Sequence, residues 1–148
     1  MSLVAVPRFV SDDFISSLSE VKMDQSIPDK YLLCMYDLFG ELSVPALDIV
    51  DRGSVTLERS LSGRSVYKVQ SHSGALQHCS YPVNYCACWT TGLARVTNVP
   101  TSSAIWCEHL IAVLVLNCLK KVNQITVSDE KMTHTIELMY TCSSGSCM

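Results

Sequence analysis

Apolar residues near the start of the chain recur at helical spacing. Phe14, Ile15, Leu18 and Val21 share one helix face, with Ser11-Asp12-Asp13 placed to cap it. A second stripe, Tyr31, Leu32, Met35, Leu38 and Phe39, follows Pro28, a residue that a first helical turn accepts, and stops at Gly40. Ser43 to Val50 predicts a third short helix, with Pro45 in its first turn and its end near Gly53. The period then shortens to two. Val55 and Leu57 alternate with Thr56 and Glu58, and Tyr67 and Val69 with Val66 and Lys68. Together they predict a hairpin of strands 54–60 and 65–70 around Leu61-Ser62-Gly63-Arg64. A third strand is expected from Ala75 to Tyr81, then a turn-rich loop with Gly92, Asn98 and Pro100. A helix from about Cys107 to Val122 contains Leu110 to Leu116, a run without a polar position, which has to be buried on every face. Ser128 caps a last helix, with Asp129 and Glu130 where the helix dipole favours negative charge. The small, polar stretch from Thr141 to Met148 is expected to fray.

Composition narrows the class. A chain of 148 residues, 48% hydrophobic with net charge −3, fits one domain and excludes intrinsic disorder. Only 17% of residues are charged, below the roughly 25% of soluble domains, so part of the apolar surface is expected to meet a partner. The longest apolar run is far short of the ~20 residues of a membrane span. The opening MSLVAVPRFVSDD lacks the basic start of a secretory signal, and no membrane association is expected. The eight cysteines are therefore expected as thiols, thiolates or metal ligands in a reducing compartment.

Charge is segregated. Met1 to Asp51 holds three basic and nine acidic residues, Arg52 to Lys121 seven basic and two acidic, and Val122 to Met148 carries −2. The basic centre reads either as a solvated face or as a footing for phosphate, with Arg59, Arg64 and Lys68 as its candidate contacts.

The chemistry is concentrated in Cys86-Ala-Cys88 and, farther on, Cys107-Glu-His109. Three thiolates and an imidazole make a closed tetrahedral set for zinc, one ion per chain, structural because no coordination position stays open. In each pair, i, i+2 spacing puts both donors on one side of extended chain. The second pair opens the Leu110 helix, whose dipole favours the Cys107 thiolate. His78-Cys79 reads as a strand pair, with substitution as a ligand the alternative. Cys34 and Cys118 read as buried thiols on apolar helices, His72 and His134 as surface residues, and Cys142 and Cys147 as part of the tail. The sequence lacks G-x-x-x-x-G-K-[ST], G-x-G-x-x-G and C-x-x-C, and the metal takes up the best nucleophiles, so no enzyme is expected.

The fold class expected is α+β, a small antiparallel β-sheet with a zinc knuckle between N-terminal and C-terminal helices. Residues 1–51 form an acidic helical region packing on the core, 52–122 the core, 123–140 the C-terminal helix and 141–148 the tail.

The pair C-x-C and C-x-H, the hairpin before it and the helix after it resemble a SWIM zinc finger. Ile27-Pro-Asp-Lys-Tyr-Leu-Leu, Ala46-Leu-Asp-Ile-Val-Asp-Arg, Ser62-Gly-Arg-Ser-Val-Tyr and Val127-Ser-Asp-Glu-Lys-Met-Thr extend the resemblance to the small SWIM-domain subunits of the Shu complex, over Ile27 to Ile136. Trp89 and Glu108 stand where many SWIM fingers have proline and a basic residue. The resemblance implies a nuclear accessory factor of homologous recombination and meiosis, in an obligate heterodimer with a RecA-like recombinase paralogue, that supports recombinase filaments on single-stranded DNA through the complex. It carries the zinc ligands over as Cys86, Cys88, Cys107 and His109. Two other roles stay open: a free-standing SWIM module that binds DNA directly, and a SWIM adaptor between proteins of another assembly.

Overall fold

Proline and glycine punctuate the first third of the chain. In the computed structural model, which describes residues 3–21, 26–71, 73–81, 83–89 and 103–141, strand β1 (Val4–Pro7) runs directly into helix α1 (Arg8–Leu18). Helix α2 (Asp29–Phe39) starts after Pro28 and ends at Gly40, whose φ of +62° breaks the helical path. After a 3₁₀ turn, Gly40–Leu42, helix α3 (Ser43–Arg52) ends on Gly53 in the left-handed conformation that suits glycine at a helix C-terminus. The expected cap at Ser11 is corrected. Pro7, with φ −54°, already sets the helical entry, and Ser11 lies inside α1, donating its hydroxyl to the Arg8 carbonyl at 3.0 Å.

The hairpin is β2 (Val55–Ser60) and β3 (Ser65–Gln70), extended by β4 (Leu76–Ser80) and β5 (Tyr85–Cys86). These pairings are antiparallel, and the sheet order is β5-β4-β3-β2-β7. Four strands, β1, β5 and two more, were not anticipated. Strand β6 (Ser103–Trp106) pairs antiparallel with β1 in a separate two-stranded sheet, with Val4 opposite Trp106. Strand β7 (Asn123–Val127) lies parallel to β2 at the edge of the main sheet, so the boundary at residue 122 cuts through the core.

Helix α4 (Glu108–Cys118) lies at the centre. It covers the sheet face carrying Val55, Tyr67, Val69 and Cys79, while α1 and α3 pack on its other side. Leu110 to Leu116 are at most 2% exposed within the single chain. The chain thus covers its own apolar helix on every face, and this run by itself does not call for a partner. Phe14, Phe39 and Trp106 join α1, α2 and β6 through edge-on ring contacts at 6.3 and 5.4 Å between centroids.

Helix α5 (Asp129–Thr141) covers the opposite sheet face, where Val66, Val127, Met132 and Met139 form a smaller core. Its first turn is held by polar bonds. The Lys131 amide donates to Ser128 Oγ at 3.1 Å, the Ser62 amide to Asp129 Oδ1 at 3.0 Å, and Arg64 Nη2 to Thr133 Oγ1 at 3.0 Å. The Ser62 contact holds the Asp129 carboxyl below its usual range. Among the described residues no helix is long and apolar enough to cross a membrane.

Candidate metal centre

The cysteine-rich turn would not by itself meet the start of α4. Asn84 Nδ2 donates to the Ile105 carbonyl at 3.1 Å and so ties the turn before β5 to β6, the strand that leads into α4. Tyr85 faces the other way and donates its hydroxyl to the Met139 carbonyl at 3.2 Å, fixing the same turn to α5. Trp89 packs on the Tyr85 ring, centroids 5.6 Å apart, and is buried. These anchors carry Cys86, the last residue of β5, and Cys88 to the N-terminus of α4, where Cys107 is the cap residue and His109 lies in the first turn.

The ligand atoms of Cys86, Cys88, Cys107 and His109 lie within 4.8 Å of one another, and the four residues are 0 to 4% exposed. Spacing supports a shared ion over ordinary hydrogen bonding. With Zn–S and Zn–N bonds of about 2.3 and 2.0–2.1 Å, a tetrahedral site has N-to-S edges of about 3.6 Å and S-to-S edges of about 3.8 Å. His109 Nδ1 lies 3.6 Å from Cys86 Sγ and 3.7 Å from Cys107 Sγ. Three soft sulfurs and one imidazole suit zinc, and a complete, buried donor set suits a structural ion.

The site's electrostatics favour one negative charge first. Cys86 and Cys88 keep their protons above the usual thiol range, chiefly through hydrogen bonds to Cys107, with burial adding to the effect. Burial opposes charge on Cys107 too, but hydrogen bonds from Cys86, Cys88 and His109 outweigh it and hold that thiol well below its usual value. The helix N-terminus acts in the same direction. A metal that binds all three as thiolates therefore displaces protons from Cys86 and Cys88.

His78 and Cys79 divide between the two sheet faces. Cys79 pairs with Cys86 across β4 and β5 and is fully buried, its Sγ 3.2 Å from Cys86 Sγ, closer than two ligands of one tetrahedral ion would stand. His78 pairs with Lys68 on the far face, away from the cluster. Cys118 is buried as expected, its thiol directed at the Ile15 carbonyl at 3.9 Å. Cys34 is corrected: it is exposed, because α2 turns Met35 and Phe39 inward and leaves Cys34 beside a groove of about 420 Å³ with Val10, Phe14 and Tyr31. His134 is exposed. His72, Cys142, Cys147 and the loop with Gly92, Asn98 and Pro100 lie outside the described residues.

The three candidate phosphate contacts do not share a face. Arg59 pairs with Ser65 on the α4 side of the sheet, whereas Lys68 pairs with Thr56 on the α5 side. Arg64 spends its guanidinium on Ser62, the Asp129 carbonyl and Thr133. Arg59 and Lys68 thus lie on opposite faces of the sheet, and Arg64 is engaged by α5, so the three do not make one flat patch. The sequence reading also missed Glu58, a carboxylate 3% exposed beneath α5 whose Oε2 lies 3.6 Å from Lys131 Nζ. Its place in an alternating strand marked it as outward, and only the α5 layer covers that face.

Comparison with known proteins gives relatives over nearly the whole chain. Zinc finger SWIM domain-containing protein 7 of Mus musculus is 35% identical over 130 residues, 88% of this chain and 84% of the relative. The Homo sapiens protein of that name is 35% identical over 88% of this chain and 91% of its own, and that of Danio rerio 35% identical over 91% and 92%. No protein-family model matches the chain. No solved structure matches it either.

Proposed function

The chain belongs to the family of zinc finger SWIM domain-containing protein 7, and from that premise we propose that it is a non-enzymatic, zinc-stabilised subunit of a heterodimer. Its partner in this reading is a RecA-like recombinase paralogue. The pair works in the nucleus and supports recombinase filaments on single-stranded DNA during homologous recombination repair and meiosis. The observation that carries the non-enzymatic part is the closed, buried donor set of Cys86, Cys88, Cys107 and His109. Such a site gives a metal no open position for substrate, and its ion supplies a cross-link between β5 and the start of α4.

The recombination role is supported by the motif stretches that resemble Shu-complex SWIM subunits, from Ile27 to Ile136. The sequence lacks a phosphate-binding loop, so nucleotide chemistry is assigned to the partner. DNA contact is assigned to the complex, in keeping with Arg59, Arg64 and Lys68 pointing to different surroundings. Affinity purification of the tagged protein from its own cells, with mass spectrometry of what it carries, tests the reading. Recovery of a RecA-like ATPase is the expected result. Tight single-strand binding by the isolated chain would replace it with the free-standing module, and an unrelated set of partners with the adaptor.

A further inference from the structure

One buried thiol beside the metal centre has no part in the ligand set. Cys79 sits directly opposite Cys86 in the antiparallel β4–β5 pair. The Ala87 amide donates to the His78 carbonyl at 3.0 Å, which makes the flanking pair the hydrogen-bonded one and Cys79–Cys86 a non-hydrogen-bonded pair. Such pairs hold their Cα atoms about 4.5 Å apart with side chains close, inside the roughly 4.4–6.8 Å range that a disulfide accepts. The two sulfurs are 3.2 Å apart. Backbone and side chains are thus already arranged for a bond between them.

We propose that Cys79 and Cys86 form a reversible disulfide under peroxide, and that this modification releases the metal. The inference rests on the zinc reading of the site. While an ion occupies Cys86, Cys88 and Cys107, Cys79 is the sulfur next to a ligand that the ion does not engage. A hydroperoxide first transfers oxygen to Cys86: the thiolate attacks the O–O bond, giving Cys86 sulfenic acid and hydroxide. The Cys79 sulfur then attacks the Cys86 sulfur, loses its proton and expels the sulfenic oxygen as water. Two thiol sulfurs are oxidised and one peroxide is reduced. The set loses a donor and the ion leaves. A dithiol reverses the bond, and both sulfurs return without passing to the sulfinic level, which thiols do not reverse.

The test uses the full chain, first assayed for zinc as purified and then treated with hydrogen peroxide. Zinc release is followed with a chromogenic chelator, and every sulfur is assigned by differential alkylation and peptide mapping. The expected result is a Cys79–Cys86 disulfide that appears as zinc is released, with full zinc rebinding after dithiothreitol. Cys79→Ser, which keeps a small polar side chain, is expected to start with the same zinc content but recover about half or less after reduction, as Cys86 proceeds to sulfinic acid. Cys79→Ala serves as the second variant should the serine disturb folding. Release of zinc with Cys79 still alkylatable in the wild type, or equal recovery in wild type and variants, would overturn the proposal. A chain that holds no zinc and takes none up would refute the metal reading instead, and the same peptide map would still decide whether the two sulfurs join.

Discussion

At the scale of single residues, His78 shows how one position is shaped by a layer that sequence spacing does not reveal. On strand β4 it pairs with Lys68 and faces the α5 side of the sheet. Burial lowers its pKa from 6.5; Glu58 pulls the other way, and Lys68 and Lys131 add to the lowering. A histidine held neutral by folding contributes stability that is fully present above its unfolded pKa. That contribution is lost as pH falls through the folded value, because the unfolded chain takes up the proton first. The expected outcome is a decline in stability below pH 6.5 that is shallower in His78→Gln than in the wild type. Urea unfolding at a series of pH values checks it, with the difference between the two proteins isolating His78 from acid effects at the metal ligands. The cluster of Cys86, Cys88, Cys107 and His109 was legible in the sequence because i, i+2 pairs constrain donors locally. Cys34 was not. Its exposure depends on which flank of α2 meets α1, and a stripe of apolar residues around it does not fix that rotation.

At the scale of elements, legibility follows the distance over which an element is decided. Helices α2 and α3 and the β2–β3 hairpin are set by punctuation and period within a dozen residues, and their positions follow the spacing of Pro28, Gly40, Gly53 and the 61–64 turn. Strands β1 and β6 are four residues each and gain their hydrogen bonds from a partner far away in the chain, Val4 opposite Trp106, so neither carries a local signal. Strand β7 hides for a related reason. Asn123 to Ile125 are exposed, and only pairing with β2 makes the segment a strand. Helix α4 was legible as a buried element, yet what buries it is the stack of α1 and α3 on one side and sheet on the other. That sandwich predicts a sharp contrast between two leucines. Leu114, fully buried in α4, is expected to cost about 2–5 kcal/mol on replacement by alanine. Leu33, 68% exposed on α2, is expected to stay within about 0.5 kcal/mol. Denaturant midpoints of Leu114→Ala and Leu33→Ala, at equal zinc loading, measure both.

At the scale of the whole molecule, a metal held by the Cys86, Cys88, Cys107 and His109 cluster would act on the same equilibrium as the central helix. Cys86 and Cys88 belong to the last turn of the main sheet, while Cys107 and His109 start the helix on which that sheet, α1 and α3 all pack. An ion held by both pairs would therefore fix the register of sheet against helix, and its loss would be felt by every layer that uses α4. Magnitude decides how far the effect spreads. Structural zinc contributes about 10–16 kcal/mol of apparent binding free energy in small fingers, as much as or more than the roughly 5–15 kcal/mol that holds a domain together. Partial fraying near the ligands is thus not the expected response to metal loss. A strong chelator, or Cys107→Ala, is expected to abolish the cooperative thermal transition of the whole domain, α1 to α3 included. Cys118→Ala, buried but outside the ligand set, is expected to keep one zinc per chain and a single transition. Because Leu110 to Leu116 are covered within the chain, the zinc-loaded protein alone is expected to show that transition without a partner present. Calorimetry with and without chelator, alongside metal analysis of both variants, reads these outcomes directly. A chelated protein that keeps an unchanged transition would mean that hydrophobic burial around α4 suffices and that the four ligands are dispensable for the fold.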